Sequence, residues 1–180
     1  MRDYIWYSDA VEDCLRMATR LGTTEVVVVF RKSDLAAADR VKELDYGVKV
    51  LTGLLVKSRA KIPSTWKAYD LLVGVFSREL MEDKRVSVIL GGETMYRTDH
   101  THYRRSGLNQ VLCKIMRDSE KTYLFQFSDF LSGDREQWLG RVLQNIRFLK
   151  KYSVKMAVGS MTEDAYGVRR VDDMKRLFFL

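Results

Sequence analysis

Short β-branched runs recur along this chain, each separated from the next by a stretch of helical periodicity, and that alternation constrains the fold more than any other feature. Residues 25–30 (Glu-Val-Val-Val-Val-Phe) are apolar almost without a break, the pattern of a strand covered on both faces. Residues 48–56, 71–76, 86–90, 122–127 and 155–159 read the same way. Between them lie helical patterns. Residues 9–21 set Ala10, Val11, Cys14, Leu15 and Ala18 on one face, and Ser33 or Asp34 caps a helix that runs to about residue 44 and ends at Tyr46-Gly47. Residues 65–69 and 78–83 give short segments, the first a weak helix. Residues 107–120 place Leu108, Val111, Leu112, Ile115 and Met116 at i, i+3, i+4, i+7 and i+8. The longest helix covers 134–152, and 171–178 forms the last, with Asp172 and Asp173 at its positive end.

Six or seven strands separated by helices imply a parallel α/β sheet. Closed, it is a TIM-barrel-like (β/α) barrel; a complete eight-fold barrel takes about 250 residues, so 180 make it short or incomplete. Open, it is a doubly wound parallel sheet, and periodicity fits both. With one proline (Pro63) and no Gly/Ser-rich segment to act as a linker, residues 1–180 read as a single barrel-like domain.

Compartment follows from what the apolar residues do. No apolar run approaches the ~18 residues of a membrane helix, and the N-terminus lacks a signal-peptide core. Cys14 and Cys113 fall inside helical apolar patterns, as reduced core residues do. The expectation is a cytoplasmic protein with no membrane partner. Net charge is +7, and residues 101–180 carry +6 of it. A basic half points to a polyanion, most often nucleic acid.

Catalysis on such a scaffold uses residues just beyond the strands' C-terminal ends. Those positions hold Arg31-Lys32, Lys57-Ser58, Ser77-Arg78, Gly91-Gly92, Ser128-Asp129 and Ser160, with no histidine and no clustered carboxylates. His100 and His102, beside Asp99 in a long polar loop at 91–105, read as a solvated pair for want of further ligands. Gly91-Gly92 reads as a plain turn, and no phosphate-cradling glycine motif occurs. No catalytic residue, metal ligand or protein-bound cofactor is expected.

Basic constellations are present instead. Arg104 and Arg105 precede Ser106, Gly107 and Asn109, with Ser106 a natural N-cap for the helix that follows and its free N–H groups an anion site. On the long helix Trp138, Leu139, Val142, Leu143, Ile146 and Leu149 share one arc. Arg141, Gln144, Phe148 and Lys151 fall opposite, with Asn145 at the edge, giving a basic outer face with an out-of-place aromatic. Arg169 and Arg170 stand just before the last helix. Phosphate contacts from such groups give salt-dependent affinity with little sequence preference.

In order, these segments resemble protein component 3, the barrel-type protein subunit of archaeal and eukaryotic ribonuclease P. The resemblance rests on RSGLNQVLCKIM at 105–116 and on the strand and turn at 123–131. It continues through Arg141, Asn145, Arg147, Lys150 and Lys151 to Val154, then Ser160, then VRRVD at 168–172. It covers roughly 104–178; the first hundred residues share only the alternation. It implies a ribonucleoprotein subunit for endonucleolytic removal of the 5′ leader from precursor tRNA. The ribonuclease P RNA and its Mg²⁺ would perform the hydrolysis, and a small α/β-sandwich protein subunit would pair with the barrel. Carried over by position, Arg104, Arg105, Asn109, Arg141, Asn145, Arg147, Lys150, Lys151, Arg169 and Arg170 would meet RNA or a partner, while Ser106 and Gly107 position the helix start. Ser160 belongs to the same set. A metal-dependent phosphoesterase of barrel type and a pure protein-interaction scaffold remain the rival readings.

Overall fold

Seven strands form one parallel sheet in chain order: β1 (Arg2–Trp6), β2 (Glu25–Phe30), β3 (Lys49–Val56), β4 (Leu71–Val75), β5 (Val86–Leu90), β6 (Thr122–Gln126) and β7 (Lys155–Gly159). The structure is a computed structural model that describes residues 1–100, 102–132 and 134–178. Thr101, between the two loop histidines, lies outside the described residues.

Strand order settles what periodicity left open. A doubly wound sheet reverses its order at a switch point. Here each strand pairs with the next in sequence and the order never turns back. Right-handed crossovers then put every helix on one face, and the bare face closes on itself. The alternation in β2 shows both faces. Val26, Val28 and Phe30 pack under the helices, whereas Val27 and Val29 join Tyr4, Trp6, Val73, Val88, Leu90, Leu124 and Met161 in a separate interior core. The fold is TIM-barrel-like.

The barrel does not seal. Past the end of β7, the Met161 amide donates to the Tyr4 carbonyl at 2.8 Å and the Trp6 amide to the Thr162 carbonyl at 3.0 Å, but no ladder joins β1 to β7. Met161 breaks the register, with φ at 46°. The two segments also pass closely there. A Cβ on Gly159 would lie 2.7 Å from that of Tyr4 and 3.2 Å from its backbone nitrogen, so only glycine fits.

Economy in the crossovers lets so short a chain go almost all the way round. The helices are α1 (Val11–Arg20), α2 (Leu35–Lys42), α3 (Arg78–Glu82), α4 (Gln110–Asp118), α5 (Phe127–Ser132), α6 (Arg135–Lys151) and α7 (Val171–Phe178). Between β3 and β4 there are only two 3₁₀ turns, Arg59–Lys61 and Ser64–Ala68, in place of the short α-helix expected at 65–69. Side-chain caps fix several starts: Asp34 accepts from the Ala37 amide at 3.0 Å, and Asp134 from that of Gln137 at 3.1 Å. Lys121, almost fully buried, donates to the carbonyls of Asp83 (2.7 Å) and Val86 (2.5 Å), stitching the start of β6 to the turn before β5. Cys14 and Cys113 are free, buried thiols pushed up to about 11 by burial. Among the described residues, no helix is long and apolar enough to cross a membrane.

Two elements escaped the periodicity. β1 reads Arg-Asp-Tyr-Ile-Trp, and its buried Asp3 interrupts the apolar run. α5 follows β6 with no turn between them, so the strand expected over 122–127 gives up Phe127 to a helix.

Candidate nucleic-acid interface

The longest connection, residues 91–109, leaves the C-terminal end of β5 and is held down by one side of α6. Arg141 is the anchor, with 3% of its surface exposed. Its Nη1 donates to the carbonyls of Glu93 and Tyr96, both at 2.7 Å, and its Nε to Asp99 Oδ1 at 2.8 Å. The Arg105 amide donates to the same Asp99 oxygen at 2.8 Å. Burial would raise the Asp99 carboxyl, but that amide and the Arg141 guanidinium outweigh it and hold the group below its ordinary range.

One turn on, Asn145 is wholly buried, and its Nδ2 donates to Glu93 Oε1 (2.7 Å) and to the Ser106 carbonyl (2.9 Å). Gln144 Nε2 reaches Ser106 Oγ at 2.9 Å and the Arg104 carbonyl at 3.1 Å. The Tyr123 hydroxyl, from β6, donates to Glu93 Oε1 at 2.8 Å. Burial pushes Glu93 up to about 7 against these donors, and burial together with the Glu93 carboxylate drives the Tyr123 phenol far up.

This overturns two expectations. Arg141 does not face outward, nor is Asn145 at the edge; both lie in the buried arc with Trp138, Val142, Ile146 and Leu149. Leu139 packs against the core as its place in the apolar arc implies, but Leu143 is 36% exposed, so the covered face is turned toward Arg141 and Asn145. A usable signal was present, since Arg141 and Asn145 stand three and seven residues after Trp138, on the same stripe. Nor is Ser106 the N-cap, and the helix does not start at Gly107. Asn109 caps α4, its Oδ1 accepting from the Leu112 amide at 2.9 Å. Gly107 turns the chain at φ 83° with the Gly92 carbonyl 3.1 Å from where a Cβ would sit, which gives Gly91-Gly92 more to do than a plain turn.

The clamp presents Arg104 and Arg105 at the surface. Arg105 lies with its guanidinium 4.0 Å over the Tyr96 ring and, among the described residues, pairs with no carboxylate. Arg104 packs on Gly140, where even a Cβ would collide with its guanidinium, and lies 3.6 Å from Asp99. Arg104, Arg105, Ser106, Gly107, Asn109, Arg141 and Asn145 therefore meet in one place. Glu93, Tyr96, Asp99 and Tyr123 complete the clamp, and sequence reasoning assigned none of them.

The remaining basic residues lie apart. Arg147, Lys150 and Lys151 are exposed toward the C-terminal end of α6, Lys151 with its ammonium 5.7 Å from the Tyr152 ring. Ser160 is buried at the barrel seam, where its hydroxyl donates to Asp3 (2.7 Å) and accepts from the Arg169 amide (3.0 Å). Arg169 bonds the carbonyls of its own loop, at Tyr166 and Val168, and exposed Arg170 sits 4.0 Å from Asp172. At the barrel mouth Arg31 lies 4.5 Å over the Trp6 ring and pairs with Glu163.

Carboxylates gather more than the sequence suggested. Glu93, Asp129 and Asp134 line a cavity of about 250 Å³ beside Trp138 and Arg141, and burial pushes Asp129 up to about 6. Among the described residues, no group of three His, Cys, Asp or Glu side chains is placed to hold a metal ion.

No family model matches the sequence, and no curated protein does. A chain of the solved structure described as "cryo-EM structure of archaeal Ribonuclease P with mature tRNA" is similar in fold, with a TM-score of 0.79 at 18% identity. The match covers 98% of this chain and 80% of that one, so the likeness in fold extends over the first hundred residues as well.

Proposed function

We propose that this chain is a protein subunit of ribonuclease P, of the barrel type called protein component 3, acting in the cytoplasm. The observation that carries the reading is the fold likeness over 98% of the chain to part of an archaeal ribonuclease P structure. Support comes from a second quarter: the segment whose sequence resembles that family, RSGLNQ, is the one the clamp braces at the surface.

In this reading the subunit binds the ribonuclease P RNA and supports it in removing the 5′ leader of precursor tRNA. Hydrolysis belongs to the RNA and its Mg²⁺, and a small α/β-sandwich subunit pairs with the barrel. The exposed cations Arg147, Lys150, Lys151 and Arg170 and the partly exposed Arg104, Arg105 and Arg169 supply phosphate contacts. Arg141, Asn145, Ser106, Gly107 and Asn109 fix the loop and helix start that present the first two. Ser160 seats the loop that carries Arg169.

The test is purification of the tagged protein from its native cells at low and moderate salt, with sequencing of the bound RNA and an assay of precursor-tRNA cleavage. Enrichment of one structured RNA together with 5′-cleaving activity is the expected result. Joint replacement of Arg105, Arg147 and Arg169 by alanine should then lower both. Absence of an enriched RNA, or full activity in the triple variant, overturns the assignment.

A further inference from the structure

Between the 91–109 loop and α6 runs an open groove of about 630 Å³, and Tyr96, His100, Tyr103, Arg104, Arg105 and Phe148 line it. We infer that this groove takes an unpaired nucleotide of the bound RNA, its base stacked on Tyr103 and its phosphate held by Arg105 and Arg104. The proposal rests on the RNA-binding reading above and adds to it the kind of RNA element and the aromatic residues that receive it.

Tyr103 is 61% exposed, which is far from how a packed tyrosine sits. Its ring lies 4.5 Å from that of His100 at 34°, and the two form a tilted aromatic platform at the groove edge. The Arg105 guanidinium lies 4.0 Å over the centre of the Tyr96 ring. Cation–π contact holds the group there while its N–H donors stay available to a phosphate. Phe148, half-buried on α6 and packed partly against the core, contributes to the wall.

Charge selects the occupant. The lining holds two arginines and, among the described residues, no carboxylate, so it suits an anion with an aromatic face. A nucleotide is both. Duplex RNA keeps its base faces stacked inside the helix, and only an unpaired base can be splayed onto a side chain. The volume lies within the roughly 300–1,000 Å³ of small-molecule sites. Rigidity comes from the clamp, because Arg141, Gln144 and Asn145 hold the loop before any ligand arrives.

The test uses the full chain and three probes: a labelled oligouridine of about eight nucleotides, an RNA duplex of similar charge, and adenosine monophosphate. Affinities are measured at roughly 50 and 200 mM salt. Tyr103→Ala should weaken oligouridine binding on the order of tenfold with its salt dependence unchanged, and Tyr103→Trp should preserve it. Arg105→Ala should lessen the salt dependence by about one phosphate contact. Duplex binding should ignore Tyr103. Equal affinity for duplex and single strand, or unchanged oligouridine binding by Tyr103→Ala, overturns the proposal. So does adenosine monophosphate binding as tightly as the oligomer, which would make this a free-nucleotide site. Loss of a protein partner from the cellular complex by Tyr103→Ala, with oligouridine binding intact, assigns the groove to protein and overturns it too. The larger reading fails separately: the wild-type chain would then purify without a structured RNA, whatever Tyr103→Ala does to oligouridine.

Discussion

At the seam between β1 and β7, the Asp3 carboxylate is buried and accepts from three donors: the Tyr4 amide (2.7 Å), the Ser160 amide (2.8 Å) and the Ser160 hydroxyl (2.7 Å). At the clamp, Arg141 and Asn145 are as deeply buried, yet Arg141 Nη2 and Asn145 Oδ1 have no partner among the described residues. A buried polar atom left without a hydrogen bond costs about 1–3 kcal/mol. The seam brings the two ends of the sheet together without a ladder, and the Asp3 carboxylate there is satisfied as polar groups of an ordinary interior are. The clamp holds a surface loop in one conformation and gives up part of its hydrogen bonding to do so. Stability alone would favour apolar residues at 141 and 145. What they secure is the placement of residues 103–109, where the proposed RNA contacts lie.

The largest test of this contrast is Arg141→Ala. It leaves Asp99 and the Glu93 and Tyr96 carbonyls without their shared donor, and removing one partner of a buried ion pair costs about 3–5 kcal/mol. Urea unfolding should show a loss of that order, and hydrogen exchange should show residues 91–107 opened ahead of the barrel strands. A loss spread evenly over the strands would make the clamp part of the barrel core and break the comparison.

Next in size is pH. Asp3 and Glu93 both hold their protons more tightly in the folded chain than in the unfolded one, being pushed up to about 6 and about 7 by burial. The folded state therefore carries extra protons above the ordinary carboxylate range, and stability falls as pH rises through each window. The loss is on the order of 3 kcal/mol for each group, complete by about pH 6 for Asp3 and about pH 7 for Glu93. Between pH 6 and 7 the clamp alone contributes, because Asp129 is also pushed up only to about 6. Glu93→Gln should flatten that last segment of a stability–pH curve and leave the lower one. If it flattens neither, Glu93 is ionised in the folded protein at neutral pH.

How far these features could be read in advance depends on what buried each residue. Strands covered on both faces announce themselves as apolar runs, so six of the seven were plain, while Asp3 hid β1 by placing a carboxylate where a valine would be expected. Barrel and open sheet share one periodicity. Only the pairing of each strand with its successor, a matter of contacts distant in sequence, separates them. On α6 the apolar stripe suggested a face centred roughly 60° from the real one, because a loop rather than the barrel covers Arg141 and Asn145. RRSGLN offers two residues of capping type. Gly107, at positive φ between them, turns the chain so that Asn109 takes the role and Ser106 is left to Gln144. Glu93, Tyr96 and Asp99 are polar loop residues with no pattern around them, and their partners on α6 lie 42 to 52 residues away.

At the seam, Ser160→Ala removes a hydroxyl that donates to Asp3 and accepts from the Arg169 amide, while the two backbone donors to Asp3 remain. The expected cost is about 1–3 kcal/mol, smaller than at Arg141 because Asp3 keeps most of its bonds. Asp3 loses one of the donors that favour its charged form, so the pH window it controls should extend upward. A penalty equal to that of Arg141→Ala would erase the distinction between the two clusters.

The smallest stability effect belongs to residues in neither cluster. Arg147 is exposed on α6, two positions from buried Asn145 but on the opposite side of the helix. Replacing it with alanine removes no buried contact, so the change in unfolding free energy should stay within about 0.5 kcal/mol. Its charge still adds to the field that an RNA backbone meets, and each phosphate contact contributes nearly one to the slope of log affinity against log salt. Arg147→Ala should therefore bind structured RNA more weakly at low salt, converge with the wild type at high salt, and unfold at the same urea concentration. That combination places Arg147 on the binding surface and outside the framework. A shifted unfolding midpoint with an unchanged salt slope would place it in the framework, and the division between buried clamp and solvent-facing cations on this helix would have to be redrawn.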